Sequence, residues 1–173
     1  MTITLAEINT LNPEQFVAAL GGLFEGPPWI VAQTWQQRPF ASVQALYDAL
    51  CAIMRAAPRE QQIALLQAHP DLAGKAARSG TLGAASTAEQ AAAGLNRLTP
   101  AELADFTRLN AAYRAEFGFP FIICARDNTK NDILAAFALR LNNTTEQEVQ
   151  TALDEVEKIC ALRLRDLVQE EGK

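Results

Sequence analysis

The stretch Thr99-Pro100-Ala101-Glu102-Leu103-Ala104-Asp105-Phe106-Thr107-Arg108-Leu109-Asn110-Ala111-Ala112-Tyr113-Arg114-Ala115-Glu116-Phe117-Gly118 carries a complete set of helix signals. Thr99 and Glu102 stand three apart, so each side chain can bond the other's backbone N–H at a helix start. Pro100 falls at the first helical position, where its missing N–H costs nothing. Leu103, Phe106, Leu109, Tyr113 and Phe117 recur at helical spacing. Gly118 then supplies a left-handed stop.

The same signals repeat in both directions. Asn12-Pro13-Glu14-Gln15 predicts a helix that carries Phe16, Val17, Leu20 and Leu23 inward and breaks at Gly21-Gly22 or at Gly26-Pro27-Pro28. Trp29 to Gln37 reads as a short helix presenting Trp29 and Trp35 as core or interface, closed by Pro39. Ser42 opens a helix with Val43, Leu46, Leu50, Ile53 and Met54 as its apolar stripe. Beyond Pro58 another helix runs from Arg59 through Leu65 and Leu66 to Ala68-His69-Pro70, where Pro70 biases His69 out of the helical region. Gly74, Ser79, Gly80 and Gly83 mark a turning stretch with room for one short helix over Lys75–Arg78.

Ser86-Thr87-Ala88-Glu89 fits a capping box, and its helix should fade near Gly94. Asn131 or Asp132 starts a helix with Ile133, Leu134, Phe137 and Leu141 on one side. A last helix after Thr145 carries Val149, Leu153, Val156, Cys160, Leu164 and Leu167. One segment differs: Phe119-Pro120-Phe121-Ile122-Ile123-Cys124-Ala125 is short, apolar and bounded by Gly-Pro chemistry, as a buried extended segment would be. The expected fold is therefore all-α. It is a single-domain helical bundle over residues 1–173, of about eight helices, with one short irregular apolar segment.

Composition narrows the function classes. The chain has 173 residues, 49% of them apolar, which is enough for a core without staples. A net charge of −5 argues against nucleic acid as the main partner, because phosphate neutralisation needs clustered Lys and Arg. No apolar run reaches the length of a membrane span. Cys51, Cys124 and Cys160 are far apart and odd in number, with no metal spacing, so buried free thiols are expected and no metal site is. The N-terminal residues lack a signal-peptide pattern, and Glu170-Glu171-Gly172-Lys173 carries no peroxisomal address, so a cytoplasmic location is expected.

Four clusters hold side chains capable of chemistry. His69 is the single histidine of the chain, the one residue type whose ordinary pKa lets it exchange a proton near neutrality. It stands at a helix end beside Pro70 and Asp71. Ser86, Glu89 and Gln90 form the second cluster, the apolar segment from Phe117 to Ala125 the third, and Arg126 the fourth. Each has a plainer reading: His69 as a helix cap, Ser86 and Glu89 as a capping box, the phenylalanines as core, Arg126 as a solvated charge. Together they supply a proton donor, a carboxylate, an amide, a guanidinium and apolar walls, a set suited to a small anionic substrate.

The motifs His69-Pro70-Asp71-Leu72-Ala73-Gly74-Lys75, Ser86-Thr87-Ala88-Glu89-Gln90 with Ala93-Gly94-Leu95, and Phe117-Gly118-Phe119-Pro120-Phe121-Ile122 with Arg126 resemble, in order and spacing, the OHCU decarboxylase family. OHCU is 2-oxo-4-hydroxy-4-carboxy-5-ureidoimidazoline, formed during uric acid breakdown. Asn142 and the region from Glu148-Val149 to Arg163 are similar to the family's C-terminal helices. The resemblance implies an all-helical homodimer that converts OHCU to (S)-allantoin without a cofactor; with no fused transthyretin-like hydrolase domain and no peroxisomal tail in the sequence, a stand-alone bacterial-type enzyme is expected. It implies His69 as proton donor, with Glu89 and Arg126 at the reacting end. It also implies a substrate lining by Pro70, by Ser86, Thr87, Ala88 and Gln90, and by Phe121, Ile122, Ile123, Cys124 and Ala125. Phe119 joins Phe121 as an expected apolar wall.

Two other classes compete. His-Pro-Asp also marks J-domains, but there the preceding helix is basic, and here Arg59 to Gln67 holds one Arg and one Glu. A helical scaffold without a site would leave Arg126 beside an apolar run, and the convergence of motifs, unexplained.

Overall fold

Helix starts in this chain are written largely by side chains that cap them. The computed structural model describes Thr2–Gln169; Met1 and residues 170–173, part of the basis for the expected cellular location, lie outside the described residues. The order of elements is β1 (Ile3–Thr4), α1 (Leu5–Thr10), α2 (Pro13–Leu20), α3 (Trp29–Thr34), α4 (Val43–Ala56), α5 (Arg59–Gln67), α6 (Lys75–Ser79), α7 (Ala84–Ala92), α8 (Pro100–Phe117), α9 (Lys130–Arg140), α10 (Thr145–Leu167) and β2 (Val168–Gln169), with four short 3-10 turns between them. Thr4, Asn12, Thr99 and Thr129 each close a full capping box with the residue three on, and Ser42 caps α4 through the Ala45 N–H.

The fold is all-α, as the sequence predicts, with more helices than the expected eight. α1, started by the Thr4–Glu7 box, is an addition, and the short α6 fills the room that the sequence left for a helix over Lys75–Arg78. Two further boundaries move. α9 starts at Lys130, because Thr129 and Asp132 form the box that fixes it. α7 starts at Ala84 with Gly83 as its cap, so Ser86 is not a capping residue. Ala84 and Ala85 are strong helix formers, and the cap moves back three residues, from the expected Ser86 to Gly83. Ser86 thereby enters the helix and is buried. The strands, two residues each and paired in parallel, are too short to leave a periodic pattern.

The chain divides into two compact units, residues 1–62 with 157–173, and residues 63–156. In the first, Phe16, Leu20, Ile30, Val31, Leu46, Leu50 and Met54 are buried on α2, α3 and α4. Asn9 brackets Phe40 by giving one hydrogen bond to its carbonyl and taking one from its N–H. Arg55–Glu157 and Arg163–Glu25 are ion pairs of partial burial within it.

The second unit holds every residue the sequence nominates for chemistry. Its core is aromatic: Phe106, Tyr113, Phe119, Phe121 and Phe137 are almost wholly buried. Phe121 stacks on Phe137 at 3.8 Å, and Tyr113 meets Phe119, Phe121 and Phe137 edge-on. The stripe of α8 holds at Phe106, Tyr113 and Phe117 and departs from expectation at one place, where Asn110 is buried and Leu109 only half-buried. The stretch from Phe119 to Cys124 is buried without regular structure, as predicted, and Ala125, also buried, opens a 3-10 turn.

Gly118 ends α8 at φ +77°, and an added Cβ would meet nothing within 4 Å, so only the backbone conformation resists a side chain there. Gly118→Ala is expected to cost about 1 kcal/mol, the penalty for a left-handed alanine, read as a lower midpoint in thermal or denaturant unfolding.

Candidate functional site

α5 ends at Gln67, and Pro70 keeps the chain out of helix. His69 is therefore delivered onto a turn, and it is 7% exposed. Its Nδ1 lies 2.9 Å from the Leu65 carbonyl oxygen. A carbonyl can only accept, so Nδ1 carries the hydrogen. The exchanging nitrogen is then Nε2, an acceptor in the neutral ring and an N–H donor in the charged one.

The turn after His69 is strained and clamped. Ala73 has φ +51°, the left-handed region that alanine rarely adopts. Its N–H donates to Gln90 Oε1 at 2.9 Å, and Gln90 Nε2 donates to the Asp71 carbonyl at 3.4 Å. Asn110 Nδ2 donates to the Leu72 carbonyl at 2.8 Å. Arg114 pairs with the Asp71 carboxylate at 2.8 Å, a half-exposed ion pair that adds little stability but fixes direction. The predicted site residue Gln90 is thus engaged with the histidine turn itself, tying it to α7.

Ser86, Glu89 and Gln90 recur at helical spacing on α7, with Ser86 and Gln90 buried and Glu89 half-buried. Thr87 and Ala88 are exposed. Thr87 bonds the Gly83 carbonyl and, with Gln90, Arg78 and Leu95, lines a cavity of about 340 Å³. α7 packs against the 3-10 turn Ala125–Asp127, on which Arg126 is exposed. The elements bearing His69, Glu89 and Arg126 are therefore joined through Gln90 on one side and this packing on the other.

Phe119 and Phe121 are turned into the aromatic core, with the Arg140 guanidinium 4.3 Å above the Phe121 ring. Arg140 Nη1 donates to the Ile122 carbonyl at 2.7 Å, and the Cys124 N–H donates to Glu155 Oε2 at 2.8 Å. Arg140 is in turn held by Glu148, which is fully buried and also accepts from Tyr113 and Asn143. Burial, followed by the bond to Glu148, pushes the Tyr113 phenol well above its ordinary pKa, so it stays a donor. Sequence reading missed Asn110, Arg114, Arg140 and Glu155. Asn110 and Arg140 leave a trace, as polar residues falling on the apolar side of α8 and α9; Glu155 leaves none.

A family model described as OHCU decarboxylase matches residues 9–165. The chain belongs to the OHCU decarboxylase family. It is 42% identical over 165 residues to the 2-oxo-4-hydroxy-4-carboxy-5-ureidoimidazoline decarboxylase of Amia calva, covering 95% of this chain and 94% of that one. It is 39% identical to the protein of the same description from Halalkalicoccus jeotgali, covering 95% and 92%. Among solved structures it is similar to an (S)-allantoin synthase, with a TM-score of 0.78 and 30% identity, over 96% of this chain and 54% of that one. The decarboxylase-family motifs quoted from the sequence coincide with the two irregular segments and α7.

The three cysteines are free and buried, as expected. Burial, with a hydrogen bond to Asp127 next, pushes the Cys124 thiol up to about 12, and burial raises Cys51 to about 11. Both thiols are held in the protonated form near neutral pH. Ellman's reagent near neutral pH is expected to leave the native protein unlabelled and to titrate three thiols after denaturation.

Gly74 is a point of close approach, because a Cβ there would lie 2.7 Å from the Asp71 Cβ. Gly74→Ala is expected to lower stability by about 1–3 kcal/mol through overpacking. It should also disturb His69, so turnover falls by more than the folded fraction measured by circular dichroism.

Proposed function

We propose that this chain decarboxylates OHCU to (S)-allantoin, with His69 as the proton donor. The observation that carries the reading is the hydrogen bond from His69 Nδ1 to the Leu65 carbonyl. It fixes which nitrogen exchanges the proton and holds the ring while it does so. Family membership over residues 9–165 supplies the substrate class.

The chemistry asks for little else. Breaking the carboxylate bond releases CO2 and leaves an electron pair on the ring carbon. The adjacent ring imine accepts that pair, giving an enol. One proton delivered to the ureido-bearing carbon, with the enol proton passing to the ring nitrogen that took up the pair, yields neutral allantoin and sets its hand. The substrate thus carries its own electron sink, so the reading includes no cofactor. His69 Nε2 delivers the proton. Glu89 orients the reacting end and Arg126 anchors the carboxylate before it leaves. Pro70, Ser86 and the Ile122–Ala125 backbone hold the ring and ureido group. Phe119 and Phe121 act from beneath, as the apolar floor that fixes this backbone.

We also infer a homodimer working in the cytoplasm on a small anionic substrate, without nucleic acid or membrane. The family resemblance supports the dimer, and no described helix is long and apolar enough to cross a membrane. The J-domain and scaffold readings gain no support from a buried histidine whose ring is already bonded.

The test is circular dichroism during coupled urate oxidation, since OHCU also decays unaided. The protein is expected to accelerate formation of the (S) product. His69→Asn should lower turnover about 10²–10⁴-fold, the usual worth of a general acid, with an unchanged far-ultraviolet spectrum. Full activity in that variant would remove His69 from the mechanism.

A further inference from the structure

A buried carboxylate with no exposure is costly unless its lone pairs are filled. Glu148 is such a group, and its partners fill it: Arg140 Nε at 2.7 Å and Tyr113 Oη on Oε1, and Asn143 Nδ2 at 2.7 Å on Oε2. Arg140 Nη2 is also 2.5 Å from Oε1, close enough for an ion pair although not aligned as a hydrogen bond. A buried pair of this kind seldom adds stability over well-packed apolar residues. What apolar residues could not do is bond the Ile122 carbonyl, as Arg140 Nη1 does.

Two residues on, Glu155 takes the Cys124 N–H. These two bonds grip the peptide groups on either side of Ile123. Neither the N–H nor the C=O of Ile123 is hydrogen-bonded to another described residue, although Ile123 is 8% exposed. In a residue so little exposed, peptide groups usually have a partner.

We propose that Arg140 and Glu155 are positioning residues: from beneath, they clamp the backbone of residues 122–124 so that the Ile123 peptide groups are held for an amide-bearing substrate. This rests on the reading that the Ile122–Ala125 backbone faces OHCU. An N–H and a C=O on one residue match the donor and acceptor of a ureido or ring amide. The clamp acts on binding geometry, whereas His69 acts on proton delivery.

The experiment compares wild type with the double variant Arg140→Met, Glu148→Gln. That variant removes both buried charges together and leaves Tyr113 an acceptor. Titration calorimetry with (S)-allantoin reads affinity and stoichiometry separately, and coupled urate oxidation reads KM and kcat. The expected result is about a tenfold rise in Kd and KM, the worth of roughly one hydrogen bond. Stoichiometry should hold and kcat should change far less. Unchanged Kd and KM would overturn the proposal, as would a fall in stoichiometry alone, which marks loss of folded protein.

If the double variant fails to fold, Glu155 decides. Glu155→Ala should raise Kd for allantoin, and Glu155→Gln, which keeps an acceptor for the Cys124 N–H, should restore it; equal affinities would overturn the proposal. Wild-type protein that neither binds allantoin nor accelerates the reaction would defeat the functional reading itself, and the clamp with it. Active wild type with indifferent variants defeats the clamp alone.

Discussion

The carboxylate of Glu148 sits at 0% exposure near the start of α10, and much of the second unit is arranged to make that tolerable. Arg140 reaches it from the end of α9, Tyr113 from the middle of α8, and Asn143 from the turn between α9 and α10. One side chain therefore ties three helices together. Its demand for partners also determines the surroundings of the extended segment. Arg140, committed to Glu148 on one edge, has its flat face over Phe121 and another N–H on Ile122. Removing either charge alone would strand the other in an aromatic core, where an unpaired ion costs several kcal/mol.

α8 is the member that serves both irregular segments. Asn110 and Arg114, one turn apart, hold Leu72 and Asp71 of the histidine turn. Tyr113 and Phe117, also one turn apart, pack beneath the extended segment, with Tyr113 bonded to Glu148. The strained Ala73 at φ +51° persists because Gln90 and Asn110 over-determine the turn around it. A left-handed alanine costs about 1–2 kcal/mol, which two or more buried hydrogen bonds can offset.

Helix existence was readable from local sequence because caps are local. Thr99 with Glu102, and Asn12 with Gln15, lie three residues apart, and the structure closes both boxes. The same rule misplaced the start of α7, where Ser86 and Glu89 have the right spacing but Gly83-Ala84-Ala85 lets the helix begin earlier. The side chain that looked like a cap is instead on the buried face. Site support was not readable, because it depends on pairs far apart in the chain. Gln90 with Ala73 is separated by seventeen residues and Glu155 with Cys124 by thirty-one. No periodicity signals such a pair. The phenylalanines of Phe117-Gly118-Phe119-Pro120-Phe121 were legible as apolar, yet only coordinates separate a wall from a floor.

These features share one physical cause. A helix satisfies its own backbone, so an all-helical protein offers few peptide groups to a ligand. Recognising a flat, amide-rich ring through peptide groups requires unwound chain, and unwound buried chain forfeits the hydrogen bonds that would hold it still. Two of the unwound stretches, residues 68–74 and 118–124, show this, and in both places side chains from neighbouring helices replace the missing ladder. The replacement is selective. Leu72, Ala73, Ile122 and Cys124 are bonded, while Ile123 is left between two fixed points. Arginine suits one clamp because its planar fork can serve Glu148 and the Ile122 carbonyl at once, which a lysine ammonium cannot reproduce in the same plane. The buried charges are then better understood as the means by which a helical scaffold holds open backbone in a fixed place than as a source of stability.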